Sequence, residues 1–142
     1  MAGEITYADG YVNTAFKGDG RSLCVLDATH EITTAELQLA DKIRFGKVPA
    51  GAVYVSGYIA TDDLDSNGAP TVNLEVGDDD DVDGLYDGTT VGQAAGVVVF
   101  NGTYITNRTA VTAEKYIAVN VTAAAATAVA GTVRVVLYYY TP

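Results

Sequence analysis

Two acidic turns hold the residues with the clearest potential for chemistry. The first contains a D-x-D-x-N-G pattern at Asp63, Asp65 and Asn67, and the second contains a D-x-D-x-D-G pattern at Asp79, Asp81 and Asp83. Alternating carboxylates in a tight turn can converge on Ca²⁺, which prefers several oxygen ligands. Position 12 of the two loops is Leu74 and Thr90, so neither carries the glutamate of an EF-hand. The pattern leaves two interpretations, a non-EF-hand calcium site at Asp63, Asp65 and Asn67 or a solvated acidic turn.

Residues suited to catalysis are sparse. His30 is the single histidine, with Ser22 and Cys24 nearby in sequence as candidate nucleophiles. No Gly-x-Ser-x-Gly, Walker or His-Glu-x-x-His pattern is present. A glycosidase needs two carboxylates in a cleft with pKa values pushed apart, whereas these carboxylates cluster in turns that we expect to face solvent. We therefore expect no enzymatic activity and no cofactor other than calcium.

The charge distribution excludes several partners. The formal net charge is −10, and residues 62–87 contain acidic side chains but no Lys or Arg. Such a surface repels phosphate, so we expect no nucleic-acid binding. The N-terminus has no basic and apolar leader, and no apolar run approaches the roughly 18 residues of a membrane span. We expect a protein that is made in a cytoplasm and does not enter a membrane.

The acidic turns are expected to be positioned by β-strands, because apolar and polar residues alternate on either side of them. Strands are predicted at 22–27, 41–45, 53–59, 71–76, 97–100, 115–122 and 132–140. The segment at 97–100, Val-Val-Val-Phe, is expected to be a buried strand that continues toward an edge at 102–105. Residues 47–87 are predicted to form a long hairpin at the centre of the fold.

The remaining segments are less regular. Residues 28–40 resemble a capping box at Thr33–Glu36, but Thr33 and Thr34 disfavour helix and we expect a strand preceded by a turn. The alanine-rich segment 123–131 is predicted to be a connection. Residues 1–20 form an extended N-terminal arm, and 21–142 form a single domain. The fold class is all-β, an antiparallel two-sheet β-sandwich of jelly-roll-like type.

Aromatic residues indicate interfaces. Tyr7, Tyr11 and Phe16 lie in the arm, where they pack on their own domain or on a neighbour. Three consecutive tyrosines end the last strand and place rings on both of its faces, so Tyr138 and Tyr140 are the other interface candidates.

Several segments resemble small virion structural proteins of tailed bacteriophages, of the head decoration or cement type. They are Ile43–Val53 (IRFGKVPAGAV), Asp62–Thr71 (DDLDSNGAPT), Leu74–Asp78 (LEVGD), Gly92–Gly96 (GQAAG) and Thr122–Ala128 (TAAAATA). The resemblance implies a β-sandwich subunit, often trimeric, that sits on the outside of an icosahedral head and clamps adjacent capsomers. The implied partners are the major capsid protein and further copies of the chain.

The function predicted from these observations is capsid decoration on the outer surface of the virion head. The alternative is a receptor- or glycan-binding module of a head fibre or tail, assisted by calcium. The two differ in location, shell against tail, and in dependence on the acidic turns.

Overall fold

Alternating apolar residues produce two layers of strands in the computed structural model, which describes residues 2–12 and 22–142. The strands are β1 (Ile5–Val12), β2 (Cys24–Ile32), β3 (Lys42–Val48), β4 (Val53–Thr61), β5 (Asn73–Gly77), β6 (Tyr86–Thr89), β7 (Gly96–Val99), β8 (Lys115–Ala123) and β9 (Gly131–Tyr140). One short helix, α1 (Thr103–Asn107), and 3₁₀ turns at Thr34–Glu36 and Val91–Gln93 lie between them. The all-β, two-sheet fold predicted from the sequence is confirmed.

The strands pair in a nested order. One sheet has the order β1-β3-β8-β5-β6 and the other has the order β2-β9-β4-β7. Strand β5 pairs with β6, β4 with β7, β3 with β8 and β2 with β9, all antiparallel. The pairs are nested in chain order, with β5–β6 innermost and β2–β9 outermost. Among the strands of the described residues, β1 is the exception to antiparallel pairing, because it adds to the edge of the first sheet parallel to β3.

The core lies between the two sheets. Inward-facing positions alternate with outward ones along the strands, as in β2, where buried and exposed residues alternate from Cys24 to Ile32. Fully buried side chains from both sheets meet there, including Leu26, Ile43, Phe45, Tyr54, Ile59, Leu74, Ile117, Leu137 and Tyr139. Burying one such apolar side chain contributes about 1.5–3 kcal/mol to folding, so this layer is the main source of stability.

The central hairpin predicted for 47–87 is wrong. Strands β4 and β5 belong to different sheets, and the acidic turn between them crosses from one layer to the other. Alternation correctly located both strands but carries no information on which strand each one pairs with. The hairpin in this part of the chain is instead β5–β6, at one edge of the five-stranded sheet, and the sequence did not predict β6.

Four other segments differ from the predictions. Residues 5–12 of the expected arm form strand β1. The strand expected within 28–40 is wrong beyond Ile32, because the Glu36 carboxylate accepts a 2.7 Å hydrogen bond from the Thr33 N–H and holds a 3₁₀ turn. Strand β7 is an edge strand with exposed valines rather than a buried one, and 103–107 is helical. The predicted domain boundary at residue 20 falls outside the described residues, as does Phe16.

Candidate functional site: acidic loops and outer sheet faces

The first acidic turn is organised by Asp65, which is buried. Its carboxylate accepts five backbone N–H bonds, from Asn67, Thr71, Val72, Ala126 and Thr127, at 2.8–3.3 Å. Two of these donors belong to the alanine-rich connection between β8 and β9, which the turn therefore holds in place. Further bonds join the same two segments, such as Asn67 Nδ2 to Thr127 Oγ1 at 2.9 Å.

This hydrogen bonding bears on the predicted calcium site. Burial acts to raise the pKa of Asp65, but the N–H donors of Thr127, Thr71, Ala126 and Val72 outweigh it and hold the pKa well below its ordinary value. Asp63 Oδ1 accepts the Asp65 N–H at 3.0 Å and Asn67 Oδ1 accepts the Ala69 N–H at 2.9 Å. With five donors on its two oxygens, Asp65 has no lone pair left for a cation. Calcium at Asp63, Asp65 and Asn67 stays a prediction that this bonding disfavours.

The second acidic loop is anchored by Asp78, which is also buried. Asp78 accepts hydrogen bonds from the Tyr54 hydroxyl at 3.2 Å and from the Tyr104 hydroxyl at 2.8 Å. Its Oδ1 also accepts the N–H groups of Asp80 and Asp81. Burial, with the nearby Asp78 carboxylate, raises the pKa of both tyrosines. Both hydroxyls therefore stay protonated donors across the physiological pH range.

A three-carboxylate cluster lies beside this loop. Glu75, Asp83 and Asp87 each bring a carboxylate oxygen within 4.8 Å of the others. Burial, together with the charges of Asp83 and Asp87, raises the pKa of Glu75. An adjoining pocket of about 350 Å³ is lined by Asp83, Tyr86, Asp87, Asn101, Gly102, Thr103 and Thr106. Such a cluster has the oxygen ligands that a hard cation prefers.

Sequence reasoning missed Glu75 as a member of this cluster. Its place in an alternating strand indicated only a side chain on the face that meets water or a partner. Asp83 reaches it because Gly77 lets the loop fold back over β5: a Cβ at Gly77 would lie 2.1 Å from the Asp81 carbonyl oxygen. This close approach is a tertiary contact that no local spacing indicates.

The residues considered for nucleophilic catalysis are not brought together. Cys24 and His30 stand at opposite ends of β2, six residues and about 20 Å apart. Cys24 Sγ donates to the Ser22 carbonyl oxygen at 3.7 Å. His30 is buried, with Nε2 3.0 Å from the Glu36 carboxylate and Nδ1 accepting the Asp9 N–H at 3.2 Å. These contacts give His30 a structural role, joining β1, β2 and the 3₁₀ turn.

An aromatic and cationic cluster covers one end of the five-stranded sheet. The Tyr7 ring makes an edge contact with Tyr11 at 5.1 Å, and the Arg44 guanidinium lies 4.0 Å from the centre of the Tyr116 ring. Arg44 Nη1 donates to the Tyr7 hydroxyl at 3.2 Å. The two described aromatic residues of the predicted arm thus contact their own domain. Tyr7 remains half-exposed and available to a neighbour as well.

The outer face of the four-stranded sheet is mixed, with exposed valines on its two edge strands and the charged side chains of Asp27, Glu31 and Arg134 on the same side. Residues paired across antiparallel strands share a face. The outer rows of the register are Val25–Tyr138–Ser56, Asp27–Val136–Tyr58–Val99 and Thr29–Arg134–Ala60–Val97. We call this surface the valine face; its apolar and aromatic members are Val25, Tyr58, Val97, Val99 and Tyr138, which lie around the buried Val136. Tyr138 and Tyr140 alternate with the inward-facing Tyr139, so both predicted interface tyrosines are outward and half-buried.

Among the helices of the described residues, a search for one both long and apolar enough to cross a membrane found none. No protein-family model matches the sequence. No curated protein matches it either.

The fold is similar to chains of solved phage capsids. A chain of the capsid of Ralstonia phage GP4 matches with a TM-score of 0.84 at 25% identity, over 97% of this chain and 98% of that one. A chain of the cyanophage Pam1 capsid asymmetric unit matches with a TM-score of 0.76 at 28% identity, over 88% and 89%. A chain of the acidic stable capsid of Helicobacter pylori bacteriophage KHP30 shares the fold at a TM-score of 0.53 and 13% identity, over 84% and 90%. The first two matches support a structural role in a phage virion.

Proposed function

We propose that this chain is a decoration, or cement, protein of a phage head, which binds the outer surface of the capsid and bridges neighbouring capsomers. The observation that carries the proposal is the likeness to a chain of the GP4 capsid over 97% of this chain and 98% of that one. Because the likeness extends over nearly the whole of both chains, it belongs to the complete fold rather than to a shared fragment.

The physical properties of the molecule suit this work. Two sheets around a continuous core form a rigid unit that transmits force between the surfaces it contacts. The net charge of −10 keeps decorated particles dispersed by mutual repulsion. On a symmetric shell, many weak and identical contacts add up through multivalency. The partners are the major capsid protein and further copies of the chain, which we propose to be arranged as a homotrimer.

The mechanism requires no chemical step. Interface area added across capsomer boundaries opposes their separation when packaged DNA presses on the shell. The test compares heads with and without the protein in a thermal or osmotic disruption assay. Undecorated heads are expected to open at a lower temperature or a smaller osmotic step, and restoring the purified protein is expected to restore the threshold. Equal thresholds with and without the protein would refute the cement role.

A second candidate is a receptor- or glycan-binding module of a head fibre or tail, assisted by calcium. The observation that favours it is the 350 Å³ pocket whose polar lining adjoins the carboxylates of Asp83 and Asp87. For this function, EDTA is expected to abolish binding to cells or to a glycan array, and added calcium is expected to restore it. Virions that adsorb normally without the protein would exclude it.

A further inference from the structure

An asparagine lies buried on the outer face of the five-stranded sheet. The neighbours of Asn120 along β8, Val119 and Val121, belong to the core, so Asn120 points outward. It is nevertheless only 8% exposed. Its side-chain hydrogen bond to a described residue is long, from Nδ2 to the Val82 carbonyl oxygen of the second acidic loop at 3.4 Å. Buried amides are usually well bonded, so stability alone does not account for an asparagine at this position.

The register places a lysine and a glutamate on either side of this amide. Asn120 is directly opposite Lys42 of β3 on one side and directly opposite Glu75 of β5 on the other. Directly opposed residues project from the same face of the sheet, with Cβ atoms about 4.5–5.5 Å apart. Lys42 and Glu75 are both half-buried. The amine, the amide and the carboxyl therefore stand in one row across three strands.

Lys42 differs from the two other lysines that the structure describes. Lys47 Nζ lies 3.3 Å from the Glu114 carboxylate, and Lys115 Nζ lies 2.6 Å from the Asp80 carboxylate. Lys42 forms no such ion pair with a described residue, so its ammonium is not held at another carboxylate. Its flexible four-carbon stem is long enough to carry Nζ along the row to the amide carbon of Asn120.

We propose that Lys42 and Asn120 form an intramolecular isopeptide bond, a covalent link between β3 and β8. The reaction is an acyl transfer in which the lysine amine is the nucleophile and the side-chain amide is the acyl donor. The inference goes beyond the proposed function and does not depend on it, because it concerns the covalent state of the chain itself.

The reaction balances without an oxidant, a reductant or a cofactor. The Lys42 ammonium first gives a proton to the Glu75 carboxylate, a transfer that shielding from water favours because it removes two charges. Nζ then attacks Asn120 Cγ, so that the Nζ–Cγ bond forms and the Cγ–Nδ2 bond breaks. Glu75 passes its proton to Nδ2 and takes one from Nζ, acting as general acid and base. Nδ2 leaves as ammonia, which takes the proton from Glu75 as it enters solvent.

The fixed register supplies the rate. A side-chain amide is a poor electrophile in dilute solution, but groups held side by side react as though each were present at a very high concentration. Effective molarities in well-oriented intramolecular reactions reach about 10⁵–10⁸ M. The folded chain therefore makes the bond without an enzyme. The unfolded chain does not make it, because residues 42 and 120 are then far apart.

Mass spectrometry of the purified chain tests the proposal. We expect an intact mass about 17 Da below that calculated for the sequence, because one ammonia is lost. After trypsin digestion, we expect residues 22–44, uncut at Lys42, to be joined to residues 116–134 in one branched peptide. A wild-type chain with the full calculated mass and two separate peptides would overturn the proposal.

Two variants and a matched control separate this bond from other losses of ammonia. Lys42→Arg keeps the positive charge but has no nucleophilic amine, and Glu75→Gln keeps the shape of the carboxyl but does not relay the proton. We expect no mass deficit in the first and at least a tenfold smaller linked fraction in the second. Lys115→Arg, the same change on β8, should show the wild-type deficit.

The variants also give results that would contradict the proposal. A deficit that persists in Lys42→Arg would arise elsewhere, for example by cyclisation at Asn67–Gly68, and would overturn the isopeptide bond. Glu75→Gln protein that links as fully as the wild type would overturn the role of Glu75 as proton carrier. Circular dichroism shows whether each variant is folded, and the branched wild-type peptide decides the proposal if one is not.

Discussion

At the scale of single residues, Asp65 and Asp78 show how an acidic chain uses carboxylates as structural acceptors. Each is buried, and each accepts at least four hydrogen bonds from groups brought to it by the surrounding loop or by the core. A buried carboxylate is tolerated only when donors replace its lost hydration. The D-x-D spacing that predicted a metal site is also the spacing of side chains that bond their own backbone. The two interpretations cannot be separated without tertiary contacts.

Asp65→Asn is expected to destabilise the fold at neutral pH. The asparagine NH₂ group would replace one carboxylate oxygen, and it cannot accept the hydrogen bonds that the backbone N–H groups donate there. The native pKa of Asp65 is lowered, so its stabilising effect is complete above the unfolded pKa of about 3.9 and is lost as the pH falls below that value. The difference in melting temperature between wild type and variant should therefore shrink as the pH falls from 5 toward 2. Asp79→Asn, at an exposed carboxylate 3.9 Å from Arg44, is the control. A difference independent of pH would contradict the prediction.

Tyr54→Phe removes one donor from Asp78 without changing the shape of the core. Leaving the buried carboxylate with one partner fewer is expected to cost about 1–3 kcal/mol of unfolding free energy. Tyr58→Phe, at a half-buried tyrosine of the valine face, is expected to lower the unfolding free energy by less than about 1 kcal/mol, as substitutions at the surface usually do. Urea denaturation monitored by fluorescence measures both. Equal losses would show that the Asp78 bond contributes nothing specific.

At the scale of elements, the sequence predicted where strands run better than how they pair. Alternation located β3, β4, β8 and β9 to within a few residues. It failed for β1, where Gly10 and two tyrosines interrupt the period, and for β7, whose continuous valines indicated burial although two of them are exposed. An edge strand and a buried strand share composition, and position in the sheet decides between them. Pairing partners depend on loops that cross between the layers, and the Glu75 cluster depends on the β5–β6 loop folding back over β5.

The second acidic loop packs closely against Gly77, the last residue of β5, which has no side chain. A methyl group there would lie 2.1 Å from the Asp81 carbonyl oxygen, so Gly77→Ala is expected to push the loop off β5 and to cost about 1–3 kcal/mol, as overpacking does. Gly68→Ala, where a Cβ meets nothing within 4 Å, is the matched control and should leave stability nearly unchanged. Chemical denaturation gives the loss. Hydrogen exchange at the Asp80 and Asp81 amides should rise in the first variant alone.

At the scale of the whole molecule, the two outer faces differ in character. One carries the exposed valines, and the other carries the tyrosine and arginine cluster at one end and the carboxylates of Glu75, Asp83 and Asp87 at the other. Composition predicted the acidic surface, because residues 62–87 hold no base. It could not predict that the carboxylates of Glu75, Asp83 and Asp87 and the exposed valines of β7 lie with different sheets, since that follows from strand order.

The proposed homotrimer is tested by sedimentation velocity of the purified protein over a range of concentrations. We expect one species of three times the 14.8 kDa chain mass. If copies contact through the half-exposed Tyr7, its replacement by Asp should shift this species to a monomer, whereas Leu39→Asp should not. A wild-type monomer at every concentration would remove the trimer from the proposal and leave assembly to the shell itself.

The central place of β9 in the four-stranded sheet has a consequence for synthesis. This strand, the last that the structure describes, lies between β2 and β4, so β2 has no partner in its sheet and β4 has only β7 until the ribosome has passed residue 140. At typical translation speeds this takes on the order of 10 s, during which valine-rich segments await their neighbour. A prematurely terminated product would lack the middle of a layer and be removed by cellular proteases. The copies that reach a head would therefore be those whose synthesis continued through β9.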